Sequence, residues 1–378
     1  MLPNILKYPL FDVLSTQTMR YVKSVPTRKA KGLARQVYEQ VMDDFFINGS
    51  ITAQSKVPEI MAGMWTGGRE ILLINDQLDA AMKEAFAATL SRINDCAYCE
   101  DMLISVVHAA GKHEIAQKLF RQAEGELKES KTREQFVWIE TVAKGNFENL
   151  PRLPFEREEL PEAIGCLFVF SYINRMSHVF MDGSPVFQPF GIRKIKEFFL
   201  RMFGFELQEM QAKIRVPGRA LDLLPAAPLP TDMSWAESNS RISEALSRWA
   251  AVIDREAPKA IPQEVRTMVE TSIGQWDGKP MPISRSWVDE ETRKLEGENR
   301  AIARLALVVA KSSSQFDDGL IQDLLSHGVD EERLIRIMAW ASFTAAKRFS
   351  ACIAKSLELS KSSDYSNDNN KQRVVNAS

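Results

Sequence analysis

The residues able to do chemistry converge on one stretch, 84–111, which holds Glu84 and the pair Cys96-Ala-Tyr-Cys99. Upstream of the thiols, Met82, Phe86, Leu90 and Ile93 recur at three- and four-residue steps, the period of an amphipathic helix. Asn94 and Asp95 interrupt that pattern, and Asp95 is the expected N-cap of the next helix. That helix carries Cys99, Leu103, Val106, Val107 and Ala110 along one stripe and stops at Gly111. Both thiols then fall in its first turn, where free N–H groups and the positive end of the helix dipole favour a thiolate. A redox-active dithiol is one reading of the pair, a zinc half-site a second, an inert remnant a third. Zinc takes four donors, commonly from two close pairs. The chain offers four scattered histidines and no second CxxC, so no metal is expected.

The whole chain sets the bounds. Its 378 residues suggest two domains. With 48 basic and 50 acidic residues the formal charge is −2, which gives no electrostatic case for nucleic acid or an anionic membrane. The basic cluster at 20–31 reads as a solvated face. No apolar run approaches the roughly 20 residues of a membrane-spanning helix, and the first residues lack the basic start and apolar core of a signal peptide. Four cysteines in so long a chain are no disulfide scaffold. The default compartment is a reducing cytoplasm. There is no GxGxxG, GxxxxGK[ST], HExxH or GxSxG motif, so neither a nucleotide cofactor nor those hydrolytic sites are indicated.

The elements that must position the thiols read as helices throughout, an all-α chain with no convincing strand pair. After an extended lead-in over 1–25, a helix over 27–47 carries Leu33, Val37, Val41 and Phe45 on one face. A short helix follows Pro58, and Gly67 and Gly68 are expected to break it. Residues 69–93 and 113–147 continue in helices. The stretch 161–181 is apolar on every side and predicts a buried helix; 191–213 adds an amphipathic one. Four prolines between 216 and 232 mark a linker or crossing segment. Helices are expected over 233–255, 263–275 and 290–310, the last with Ile302, Leu305, Ala306 and Val309 in phase. The expected organisation is an N-terminal helical lobe over 1–215, a linker over 216–232, a C-terminal helical lobe over 233–360 and a disordered tail over 361–378.

An internal repeat supports two lobes. Residues 301–328 lie over 84–111 without a gap: Leu90 meets Leu307, Glu100-Asp101 meets Asp317-Asp318, and Gly111 meets Gly328. The second copy has Ser313 and Phe316 in place of Cys96 and Cys99, and Ala301 in place of Glu84. The helical pattern repeats and the chemistry does not, as in a pseudo-two-fold pair of lobes of which one lacks the CxxC.

Glu84 followed by Cys96-x-x-Cys99 in a helical repeat resembles the carboxymuconolactone decarboxylase superfamily, in its alkylhydroperoxidase D-like branch. The string SRINDCAYCEDM is similar to that family's motif, and the run from Phe170 to Phe180 is similar to two-lobed, peroxidase-related members. The resemblance implies reduction of a hydroperoxide by the dithiol through an intramolecular disulfide, with a thiol or dithiol electron donor and no cofactor. It implies homo-oligomers, for this chain a dimer or trimer. It gives Cys96 and Cys99 the catalytic role and Glu84 a share in relaying a proton through a histidine.

That histidine is missing. The family position, one turn beyond the second cysteine, is Leu103 here, and leucine cannot relay a proton. His108 lies nine residues past Cys99 and points to the other side of the helix. His178 in the buried helix is the remaining possible proton relay, against the simpler reading of a hydrogen-bonded core histidine. Cys166 and Cys352 read as buried thiols. Trp65, Met176 and Phe180 read as core. Asn174 and Arg175 need partners; an interhelical or inter-subunit salt bridge is expected, with a role in a pocket as the second reading. Two functions stay open: a weak thiol peroxidase, or a non-catalytic helical scaffold or ligand-binding protein whose CxxC is a sensor or a remnant.

Overall fold

A computed structural model describes residues 15–184 and 193–375, with the backbone alone at 193 and 359–375. The described part is all-α. Its single β-type contact is an isolated antiparallel bridge between Met19 and Met181. The first helices are α1 (Gly32–Asp44), the single turn α2 (Gly49–Thr52) and α3 (Pro58–Gly68). The CxxC hairpin follows as α4 (Ala80–Ile93) and α5 (Ala97–Ala109), then α6 (His113–Arg121) and α7 (Ser130–Ala143). The apolar stretch forms α8 (Leu160–Phe180), and α9 is Arg193–Gln211.

Beyond the proline-rich segment come α10 (Ser240–Glu256), α11 (Gln263–Gln275), α12 (Ser286–Glu291), α13 (Gly297–Ser312), α14 (Asp318–Ser326) and α15 (Glu331–Val375). The bounds of α15 take in 361–375, where polar composition predicts disorder. The side chains there, and residues 376–378 altogether, lie outside the described residues. The lead-in over 1–14 also lies outside them. Helices α13 and α14 occupy the positions the internal repeat assigns to counterparts of α4 and α5.

Helix α8 is the central pillar because nearly all of it is buried and most of its surface is apolar. Phe168, Val169, Tyr172, Val179 and Phe180 are wholly buried. It packs against α4 on one side and α15 on the other, so apolar burial on all faces joins the CxxC hairpin to the C-terminal helices.

Gly67 does not break α3: the α-helix runs to Gly68 and passes without a gap into a wider-wound turn, Arg69–Leu73. The reason is packing: the indole of Trp249 on α10 lies across this face, and a Cβ at Gly63 would come within 2.7 Å of its ring. Gly63 and Gly67 are small where an aromatic ring must sit, so the helix accepts their cost in backbone freedom.

The turn after α3 also fastens the proline-rich segment. Fully buried Arg69 pairs with Asp44 at 2.8 Å and with its neighbour Glu70. The Glu70 carboxylate accepts the backbone N–H groups of Gly218 at 2.8 Å and Ala220 at 3.1 Å. Arg69 donates to the Val216 carbonyl at 2.9 Å. A buried charge is tolerated only with such a full set of partners, and the segment is held against α1 and α3.

Candidate functional site

Helix α4 begins with Asp79, whose side chain accepts from the Ala81 N–H at 2.7 Å. The helix then buries two opposite charges in succession. Lys83 is wholly buried and pairs with Glu162 of α8 at 2.5 Å. Glu84 turns the other way and has no ion pair among the described residues; Gln211, at the end of α9, donates to its Oε1 at 3.4 Å. Its Oε2 is buried with no hydrogen-bond partner. Burial pushes the Glu84 carboxyl up to about 8, although Arg215, Gln211 and Lys83 each favour the charged form. It is therefore a protonated acid at neutral pH.

The turn into α5 differs from the sequence expectation. Asp95 is not the N-cap: it takes a left-handed conformation, φ 58°, and closes α4. Cys96 itself caps α5, its N–H reaching the Ser91 carbonyl at 2.8 Å. A left-handed residue ends a helix economically, and Asp is among the few non-glycine types that tolerate it. Cys99 follows in the first turn, and the two sulfurs stand 2.7 Å apart. Both cysteines are only 2 % exposed. Burial pushes the Cys96 thiol well above its ordinary range, and the neighbouring Cys99 adds to this. The thiolate expected from the helix terminus is thus overturned at Cys96: loss of water outweighs a partial charge at the helix end.

Cys99 and Glu84 face one small cavity of about 80 Å³. Leu103 lines it as well, and Met64, Trp65, Leu72, Met102 and Phe170 make its apolar wall. The polar groups around it are Asn48, Ser50, Tyr98, Glu84 and Cys99. At roughly 30 Å³ per water it has room for a hydroperoxide group and a short carbon stub. The hydroxyl of Tyr98 accepts from the Gly49 N–H at 3.0 Å and so ties α5 to α2.

Two hydroxyls that the sequence did not single out stand beside the thiols. Ser177 of α8 accepts from the Cys99 thiol at 3.4 Å. Its other neighbours are the Ser50 hydroxyl of α2, 3.3 Å away, and the Cys96 thiol, to which it also hydrogen-bonds. Ser177 lies 78 residues from Cys99, and one serine in an apolar helix carries no sequence signal. Arg215, beyond α9, was likewise illegible as a partner of Glu84. Its guanidinium is held by the carbonyls of Asp44 at 2.8 Å and Met210 at 2.9 Å.

His178 is not among the residues lining the cavity. Its Nδ1 hydrogen-bonds Ser313 at 2.8 Å, the residue that stands for Cys96 in the second copy of the repeat. Burial lowers it to about 4, so the ring is neutral at physiological pH. His108 sits beside His113 instead, with 3.1 Å between their Nδ1 atoms. Cys166 is wholly buried and donates to the Lys83 carbonyl at 2.9 Å, whereas Cys352 is half-buried. Trp65 belongs to the cavity wall as well as the core.

Among the described residues of the chain Arg175 makes no interhelical salt bridge. Its guanidinium donates to the carbonyls of Ala310 at 3.0 Å and Ser171 at 2.7 Å and lies 5.8 Å from the Trp276 ring. Carbonyl oxygens and an aromatic face replace a carboxylate, since they solvate the cation without burying a second charge. Asn174 accepts from Ser91 at 3.0 Å. Among the described residues no group of three or more His, Cys, Asp and Glu side chains is placed to hold a metal ion. No helix there is long and apolar enough to cross a membrane.

The chain is similar to the alkyl hydroperoxide reductase Rv2159c of Mycobacterium tuberculosis (strain ATCC 25618 / H37Rv), with 26 % identity over 341 residues, 90 % of this chain and 96 % of that protein. No family model matches the chain. No solved structure matches it significantly. The near full-length similarity bears out the alkylhydroperoxidase D-like resemblance read from Glu84 and the CxxC pair.

Proposed function

We propose, from this alkylhydroperoxidase D-like kinship, that the protein is a thiol-dependent peroxidase that reduces small hydroperoxides at the expense of a dithiol donor. The observation that carries the reading is that Cys99, Glu84 and Leu103 line one apolar cavity. Cys99 is the attacking thiol, because it faces the cavity. Its sulfur takes the distal peroxide oxygen, the O–O bond breaks, and a sulfenic acid forms. Cys96, 2.7 Å away, then displaces water from that sulfenic acid, leaving a Cys96–Cys99 disulfide. An external dithiol reduces the disulfide and closes the cycle. Glu84, neutral and lining the cavity, donates a hydrogen bond to the departing oxygen and keeps its own proton, while the thiol proton ends on the alcohol. His178 has no part in this path.

The enzyme is slow by construction. A leucine stands where a relay histidine would, and the thiols are sealed from bulk water. Those same facts favour the second reading, a helical scaffold with a remnant CxxC. Intact mass separates the two. Reduced wild type treated with hydrogen peroxide should lose two hydrogens, and Cys99→Ser should not. Wild type that stays fully reduced, while a control CxxC protein oxidises, makes the scaffold the better reading.

A further inference from the structure

We infer that the hydroxyls of Ser177 and Ser50 form a proton wire from the Cys99 thiol to the cavity, and so take over the task of the absent histidine. The inference rests on the peroxidase reading above. The thiol donates to Ser177 at 3.4 Å, and Ser177 meets Ser50 at 3.3 Å. Ser50 lines the cavity together with Cys99. The wire thus starts on the reacting sulfur and ends where the leaving oxygen must appear. A serine hydroxyl accepts one proton while donating its own, so neither serine needs to ionise.

Two elements, α8 and α2, hold the two hydroxyls in place. Ser177 is carried by the rigid pillar α8. Ser50 sits in α2, whose N-cap Asn48 accepts from the Ile51 N–H at 3.4 Å. Gln54 then donates to the Ser50 carbonyl at 2.8 Å and accepts from the Tyr172 hydroxyl of α8 at 2.7 Å. The wire is cross-braced to the same helix at both ends. The titratable groups facing Cys99 from the cavity lining and its own turn are Cys96, Tyr98 and Glu84; α2 and α8 contribute hydroxyls and the Asn48 amide.

The step balances without another reactant. The sulfur–oxygen bond forms as the oxygen–oxygen bond breaks, the sulfur is oxidised by two electrons, and the peroxide is reduced by two. The thiol proton moves to Ser177, the Ser177 proton to Ser50, and the Ser50 proton to the alkoxide. The alcohol leaves, and both serines end as they began. Ser177 touches the reacting sulfur and Ser50 the leaving oxygen, so both are catalytic in this step.

The test is single-turnover oxidation of the reduced full-length protein by hydrogen peroxide, in H₂O and D₂O, from pH 6 to 9. Ser177→Ala should slow oxidation by about 10²-fold near neutral pH, shrink the solvent isotope effect and steepen the pH dependence. Ser177→Thr, which keeps the hydroxyl, should restore most of the rate. Ser50→Ala should show the same signature more weakly, and it serves if Ser177→Ala folds poorly. Diamide should still close the disulfide in each variant, which separates a lost wire from lost thiols. If both alanine variants oxidise at the wild-type rate with an unchanged isotope effect, the wire is overturned and the peroxidase reading stands. If wild type itself does not oxidise, the peroxidase reading fails and the wire with it.

Discussion

Leu103 and Glu84 decide what this site can do at the scale of single residues. Both line the cavity that Cys99 faces, so a base at position 103 would share that cavity with the acid and the thiol. Leu103→His should raise peroxide turnover with a dithiol donor near neutral pH. Wild-type turnover should climb with pH and then level off once Glu84 loses its proton. The histidine variant should be flatter. Glu84→Ala should cost more in the histidine background than in wild type, because only there does it complete a relay. Equal losses in both would show that the two side chains do not cooperate. The acid has a second, independent signature. Its ordinary value is 4.5 and its folded value about 8. Between these, the folded chain holds a proton that the unfolded chain has released. The sign is therefore a loss of stability as pH rises through that window, at most about 1.4 kcal/mol per pH unit. Glu84→Gln should abolish this slope, leaving the variant near wild type at pH 4.5 and more stable at pH 9. Urea midpoints at the two pH values measure it, and a constant difference between the proteins would rule out the shifted acid.

Among the elements, α9 governs the site without contributing to the chemistry. It lies along α5, and the contact is close because Gly204 has no side chain: a Cβ there would stand 2.5 Å from the Ser105 carbonyl oxygen and 2.9 Å from the His108 Cβ. Lys196 of α9 reaches the buried Asp101 of α5 at 2.7 Å. The end of the same helix supplies Gln211 to Glu84. Gly204→Ala must push α9 away from backbone atoms that cannot yield. The expected loss is about 1–3 kcal/mol of stability, read from urea denaturation. The Cys99 thiol should also become more reactive toward a small alkylating reagent as the cover loosens. Unchanged stability together with unchanged thiol reactivity would show that α9 is not packed so tightly.

For the whole molecule, the outer face of α9 raises the question of assembly. Phe198, Met202 and Phe205 follow one another at helical spacing and are each about half exposed or more, with Ile214 and Val216 exposed just beyond. Contiguous apolar surface on a soluble chain marks a contact site. We propose that the chain is a homo-oligomer, a dimer or trimer, joined through this face. Light scattering should give a mass two or three times that of the chain, and Phe198→Glu with Phe205→Glu should reduce it to the monomer. A monomeric wild type across micromolar concentrations would sink the idea.

The sequence by itself determined the helical class, because apolar residues recur at helical steps over nearly every element and one stretch is apolar on all sides. It located the CxxC turn, Glu84 and the leucine at position 103, since these follow local spacing. Local reading could not see what long-range packing decides. Gly67 looked like a helix breaker until Trp249, 182 positions on in the chain, lay across it. Asp95 has the composition of an N-cap, yet the sharp reversal between α4 and α5 put it in a left-handed turn. Arg175 found carbonyls and an indole in place of a carboxylate. The helix terminus pointed to thiolates, but the tertiary fold excluded water around Cys96, and burial sets the protonation of a thiol more strongly than a helix end does. Only the packing of α8 and α2 against α5 brought Ser177 and Ser50 to the sulfur, because two serines in distant helices share no pattern until the chain is folded.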